Sequence, residues 1–285
     1  MRLKDTPDGL AILYYMGLFD IFKKTETAKE TETGKTVKSE SVAGAGKQQV
    51  PQEYLGDLEK TQMLSVLLAV PMEHRDEEWV GRFLADLPLA SLRCGTPQII
   101  AGPDGFPYFQ LFVPEPGEEY QSFYIERMIT DFLLERGYGV VINPGEGQPD
   151  WVLSYGDLLN YHLNGSFFTA EDSQFSISSN TEEVVAEGEE IMVGQPAETI
   201  LPTETRKLLK DFFELNGIEG PKVLLMARTV GDELKQDLAF NITPDRFETE
   251  THYRNMMQTV TWYLPRHYSV IGLHDDNIEN GFMPL

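Results

Sequence analysis

The chain has 285 residues and a formal net charge of −23, with 23 Lys and Arg against 46 Asp and Glu. Hydrophobic residues make up 41% and charged residues 24%, so disorder as the main state is excluded and the length suits one large domain or two ordinary ones. The acid excess argues against nucleic acid as a partner, and the single cysteine, Cys94, excludes an internal disulfide and any multi-cysteine metal site.

The charge is unevenly spread. No Lys occurs between Lys60 and Lys207, and no basic residue at all between Arg136 and Arg206. Such a surface serves solubility, or meets a basic patch on a protein partner. No apolar run approaches the roughly 20 residues that span a bilayer. Leu10 to Phe19 follows Arg2 and Lys4, but Asp5, Pro7, Asp8 and Asp20 interrupt it and no small-residue cleavage site follows, which argues against a signal peptide. With one cysteine and no span, the expected location is the cytoplasm.

Residues 1–50 read as a flexible tail, and residues 1–15 as an upstream extension before a natural start at Met16. Leu18, Phe19, Ile21 and Phe22 share one face of a short helix, apart from Asp20, Lys23 and Lys24. That face would touch a membrane surface or partner groove, or else dock on its own domain or fray. Lys24 to Val50 contains no aromatic residue and cannot bury enough apolar area to offset its ordering cost.

A first domain is expected over residues 51–168. Leu55 to Val70 and Trp79 to Leu87 read as helices. Gln98 to Ala101 and Pro107 to Val113 read as strands joined by the turn Gly102-Pro103-Asp104-Gly105. Ile125, Met128, Ile129, Phe132 and Leu133 recur at helical spacing, with Gly137 placed to stop the helix. Val140 to Ile142 predicts a buried strand, Trp151 to Leu153 a further one, and Leu158 to Leu163 a helix.

Residues 169–196 form an acidic linker with an extended stretch at Ile191 to Gln195. A second domain then covers 197–285. Leu208, Leu209, Phe212 and Phe213 predict a helix stopped by Asn216-Gly217, and Lys222 to Thr229 and Asp237 to Ile242 predict strands. Tyr253 to Leu264 predicts a helix ended by Pro265, and Tyr268 to Leu273 a last strand. The expected class is α/β, with α+β as the alternative: two layered domains of mixed helices and sheet.

Chemical motifs are sparse. Arg93 next to Cys94 could lower a thiol pKa, but nothing adjacent supplies a base and a lone cysteine is commonly packing. The five histidines form no closely spaced helical pair, so no zinc signature arises, and His274-Asp275-Asp276 reads as a surface turn. There is no nucleophile elbow, Walker loop or dinucleotide-binding glycine fingerprint. No metal, no cofactor and no catalytic residue is assigned. An enzyme drawing on Cys94, His162 or His267 stays as the least favoured alternative.

Asn143-Pro144-Gly145 is the turn that stands out. Proline removes a donor and glycine permits positive φ, so the tripeptide ends a strand with a defined shape. Turns at sheet ends often carry ligands, and Trp151 would pack over this one or stand as an exposed anchor. The opposing reading is structural punctuation.

Gly139-Val140-Val141-Ile142-Asn143-Pro144-Gly145, after an amphipathic helix and before a strand and helix, resembles the first domain of the bacterial SseB family (enhanced serine sensitivity protein B). Gly188 to Pro196 resembles that family's entry into its C-terminal domain, as do Pro221-Lys222-Val223-Leu224-Leu225-Met226-Ala227 and Leu238 to Ile242. The resemblance covers residues 51–285 through motifs that are mostly hydrophobic patterns with turns. It implies a cytoplasmic two-domain α/β protein without established enzymatic chemistry, and no catalytic residue carries over. The acidic surface, the tethered apolar segment at Leu18 to Phe22 and the missing catalytic motifs make the first expectation a non-enzymatic interaction or regulatory protein whose partner is a protein, with a small-molecule (amino-acid) sensor at Asn143 to Gly145 as the alternative.

Overall fold

The computed structural model describes residues 56–169 apart from 116 and 146, residues 173 and 175, and residues 191–285 apart from 231, 232, 279 and 280. The Leu18 to Phe22 face, the tail expected over 1–50 and most of the acidic linker lie outside the described residues.

Side-chain caps set the first two helices. Asp57 accepts from the backbone of Glu59 and Lys60 to open α1 (Leu58–Leu68), and Asp76 accepts from Trp79 N–H at 2.9 Å to open α2 (Glu77–Asp86). Acidic first turns, Glu59 in one and Glu77 with Glu78 in the other, suit the positive end of each helix dipole. Next come β1 (Leu92–Ala101), β2 (Pro107–Phe112) and the short β3 (Ser122–Phe123). The turn between β1 and β2 closes through Gly105 N–H to Gly102 O at 3.0 Å, with Gly105 at φ +88°.

The helical run α3 is α-helical over Ile125–Met128, π-helical over Ile129–Leu133 and α-helical again over Leu134–Arg136. The extra residue of the π turn lets Ile129, Leu133 and Leu134 all reach the core. Gly137, at φ +70°, ends the run as expected. Then follow β4 (Gly139–Ile142), β5 (Trp151–Leu153) and α4 (Tyr155–Asn164). The last opens on a reciprocal capping box between Ser154 and Asp157.

These elements build a five-stranded sheet in the order β3-β1-β2-β4-β5, with β2 and β4 parallel and the other pairs antiparallel. The second part comprises β6 (Ile191–Gly194), α5 (Thr203–Leu215), β7 (Lys222–Val230), β8 (Glu233–Phe240), α6 (Glu250–Thr261), β9 (Val270–Gly272) and β10 (Met283–Pro284). Its sheet runs β10-β7-β8-β9, and β6 pairs β7 further along the same strand. The β7–β8 pair is antiparallel and β8–β9 is parallel. Helix, hairpin, helix and parallel return strand thus occur twice, as α2-β1-β2-α3-β4 and as α5-β7-β8-α6-β9. The α/β class is the one expected, with mixed helices and two five-stranded sheets.

Several boundaries differ from the sequence expectation. β8 starts at Glu233 rather than Asp237, because the register Val230↔Glu233 carries pairing to within two residues of the hairpin tip. α6 ends at Thr261 rather than at Pro265, since Trp262 to Leu264 turn away to pack on the other lobe. β1 starts at Leu92 rather than Gln98, across an irregularity between Cys94 and Ile99.

One apolar cluster runs through both lobes, from Phe83, Leu111 and Ile142 to Phe213, Leu238 and Val260. At the junction Phe106 stacks on Trp262 at 3.9 Å, and Trp262 Nε1 donates to Tyr108 Oη at 2.9 Å. Tyr155 and Thr205 share a buried hydroxyl bond of 2.9 Å. Arg266 reaches Asp157 with both Nε and Nη2, at 2.6 and 2.8 Å. A smaller cluster of Leu224, Met226 and Ala239 fills the opposite face of the second sheet under Ile278 and Phe282.

Candidate functional site

Asn143 lies where β4 ends, and its backbone N–H donates to Leu111 O at 2.8 Å. It takes φ +47°, the one non-glycine residue at positive φ among the described residues, a conformation that Asn tolerates better than most. Gly145, expected to supply the positive φ of this turn, does not have one. The Asn143 side chain is used at both ends: Oδ1 accepts from Val113 N–H and Nδ2 donates to Asp150 Oδ2, each at 2.9 Å.

Asp150 also accepts from Arg75 Nη2 at 2.8 Å, and Arg75 donates onward to Val70 O at 3.1 Å and Leu68 O at 3.3 Å. The guanidinium sits 4.6 Å over Trp79. Trp79 stacks on Phe83 at 4.8 Å, and Trp151 packs against both rings, at 6.0 and 5.4 Å. Asn143 and Trp151 therefore belong to one network that ties the end of α1 and the start of α2 to the sheet. Pro144 is half-buried beside it and Gly145 is exposed. The side-chain amide and backbone N–H of Asn143 are thus committed to the protein's own bonds.

Cys94 lies on β1, half-buried, with its thiol donating to Gly95 O at 3.4 Å, and burial pushes its pKa up rather than down. It borders a cleft of about 330 Å³ lined by Arg93, Gln98, Glu118, Tyr120 and Phe123 among others. Arg93 Nε is 3.3 Å from Glu118 Oε1 and its guanidinium rests 4.5 Å over Phe112. The cleft offers one cation, one anion, amides and hydroxyls to a small polar molecule. His162 occupies the last turn of α4, far along the chain from β1, and His267 follows α6. His267 is packed edge-on to Tyr268 at 4.8 Å, and burial lowers its pKa. His274 is 3.9 Å from Asp245 and 3.6 Å from Asp276 on the surface. Among the described residues no group of three or more His, Cys, Asp or Glu is placed to hold a metal ion. No described helix is long and apolar enough to cross a membrane.

The most exposed apolar feature on a strand is β6. Ile191, Met192 and Val193 are 36%, 61% and 41% exposed, and the strand pairs β7 alone among the described residues. Ile191 and Val193 stand opposite Arg228 and Met226, so they extend the face of the smaller cluster. Met192 stands opposite Ala227 on the other face. The sequence announces this stretch as extended but not as a surface. The signal available was an uncharged Ile-Met-Val run directly after Glu187, Glu189 and Glu190.

No family model, no curated protein and no solved structure matches this chain.

Proposed function

We propose that this chain is a non-enzymatic interaction or regulatory protein of the cytoplasm, a reading compatible with its resemblance to the serine-sensitivity family, which implies no established enzymatic chemistry. The observation that carries the reading is the exposed apolar strand β6, which pairs β7 alone among the described residues, in a chain of net charge −23. Sheet edges are ordinarily blunted with Lys, Pro or a covering element, whereas β6 consists of Ile, Met, Val and Gly. Uncovered apolar residues grouped on a strand favour a protein partner, and the acid excess favours a basic one.

The test is affinity capture of the tagged full-length protein from its native lysate at low and high salt, with quantitative mass spectrometry. A control lacking residues 1–50 runs beside it. A specific protein that is enriched at low salt and depleted at high salt is the expected result. An empty capture under all conditions would remove the reading.

A further inference from the structure

The cleft beside Cys94 carries a reading that goes beyond the interaction role and needs no partner at β6. We propose that this cleft binds a small α-amino acid with an uncharged polar side chain, its carboxylate held by Arg93 and its ammonium by Glu118.

The walls arise where the first sheet splays. β3 pairs β1 through Leu92↔Phe123 and Arg93↔Ser122, and there the pairing stops. The cleft opens between the β1 segment after Arg93 and the segment Glu118 to Gln121. On the β1 side the register jumps from Cys94↔Leu111 to Ile99↔Phe109. Gly95 to Gln98 are left opposite Gln110 alone, and the strand bows. The buried Gln110 holds that bow by donating through Nε2 to Pro97 O. Gly95 permits the close approach, since a Cβ there would fall 2.8 Å from both Gln110 Cδ and Phe112 Cε2. The facing wall is pinned as well. Tyr120 Oη lies 3.0 Å from Ser91 Oγ, and Glu118 Oε2 accepts from Glu115 N–H at 3.1 Å. A site whose walls are tied before the ligand arrives loses little to ordering on binding.

Arg93 is the cation of the cleft and Glu118 its anion. The Arg93 guanidinium rests 4.5 Å over the Phe112 ring, so one face is covered and its edge is left to a ligand. Its side chain is 33% exposed, yet among the described residues the guanidinium makes no hydrogen bond. Nε is buried and lies 3.3 Å from Glu118 Oε1 without hydrogen-bond alignment. Arginine presents its N–H donors in one plane, and the two Nη groups stay available to both oxygens of a carboxylate.

The charges select the occupant. A simple anion is drawn to Arg93 but repelled by Glu118 and by a chain of net charge −23, while a simple cation meets Arg93. A zwitterion answers both groups and carries no net charge. Because Arg93 Nε and Glu118 Oε1 are 3.3 Å apart, the ligand's own two charges have to be neighbours, as they are around the α-carbon of an amino acid. Thr96, Gln98 and Gln121 add a hydroxyl and two amides to the lining, which suits a side chain that hydrogen-bonds. A volume of about 330 Å³ lies at the small end of ligand sites and suits one such molecule.

The test is isothermal titration calorimetry of the full chain with L-glutamine, L-asparagine and L-threonine, each up to about 10 mM. For each that binds, the N-acetyl derivative removes the ammonium and the α-amide removes the carboxylate. γ-Aminobutyrate keeps both charges but spreads them apart. The variants are Arg93→Gln, Glu118→Gln and, at an exposed position on the wall, Gln121→Trp, with thermal melts to confirm that each stays folded. If Arg93→Gln does not fold, the other two decide. We expect saturable binding of at least one of the three amino acids, weakened by about tenfold or more in every variant and for every derivative. Absence of saturable binding by all three would overturn the proposal. So would equal binding of γ-aminobutyrate or of either derivative, or binding that Arg93→Gln and Glu118→Gln both retain. Loss in Gln121→Trp alone would overturn the assignment of the two charges.

Discussion

Asn143 shows how a residue that reads as a ligand turn can be a structural joint. Its backbone is in the left-handed region, and its amide group bonds to Val113 N–H on one side and Asp150 on the other. Asn143→Gly keeps the backbone relaxed and loses the two bonds, at about 0.5–1.5 kcal/mol each. Asn143→Ala loses the same bonds and adds about 1–2 kcal/mol for a Cβ at positive φ. Urea denaturation should therefore rank wild type above Gly and Gly above Ala, and an Ala variant as stable as the Gly variant would contradict the backbone assignment. His267 makes a pH prediction at the same scale. Its burial lowers its pKa in the folded state below the ordinary value near 6.5. The neutral ring is therefore compatible with the fold and the protonated ring opposes it. Its contribution is complete above the unfolded pKa and is lost as pH falls through the lower folded one. His267→Gln should flatten the fall in stability below about pH 6.5 relative to wild type, as read from denaturation midpoints against pH.

At the scale of elements, helix ends give the cleanest comparison. Gly137 and Gly165 both end helices at positive φ, +70° and +68°. A Cβ on Gly165 meets open space, whereas one on Gly137 comes within 3.0 Å of Leu208 Cδ2 on α5. Gly165→Ala should cost about 1–2 kcal/mol of backbone strain alone. Gly137→Ala should cost that and more, to the extent that Leu208 cannot withdraw, and the difference between the two midpoints in urea isolates the contact between α3 and α5. The helix terminated by Gly137 was legible because its apolar spacing and its stop signal agree. The π turn inside it was not: an inserted residue leaves Ile129, Phe132 and Leu133 at the same sequence intervals as a regular helix. Strands read through periodicity were found where both faces are buried, as in Val140 to Ile142. They were cut short where pairing continues through a mainly polar stretch, as from Glu233 to Gln236 in β8, where Leu234 is the one apolar residue. β3 and β10 have two residues each, too few to show a period. The turn at Asn143 was legible as a turn. Its role was not, because Val113 and Asp150, which consume its polar groups, are remote or unremarkable in sequence. The β6 edge depends on which strand lies outermost, a property of topology that no local pattern records.

At the scale of the molecule, the two lobes repeat one plan and yet do not have separate cores. The main cluster is continuous from one sheet to the other, and the seam is made of backbone as well as side chains. Gly156 N–H donates to Trp262 O at 2.9 Å, and a Cβ at Gly156 would fall 1.9 Å from Leu264 O. Backbone on both sides leaves no side chain that could move aside, so the first turn of α4 and the Trp262 to Leu264 segment must separate to admit a methyl group. That separation would disturb the Phe106–Trp262 stack and the Asp157–Arg266 pair beside it. Arg266 is largely exposed but Asp157 is buried, so Arg266→Ala leaves that carboxylate without its two charged hydrogen bonds and should cost about 1–3 kcal/mol. Gly156→Ala should cost about 3 kcal/mol or more through overpacking at a rigid contact. Wild type, with its shared core, is expected to unfold in a single transition by calorimetry. If the seam is what couples the lobes, Gly156→Ala should split that transition in two, each lobe melting on its own hydrophobic sheet. A variant that melts lower but still in one step would mean that the apolar cluster around Phe212 and Tyr263 couples the lobes without the backbone contact.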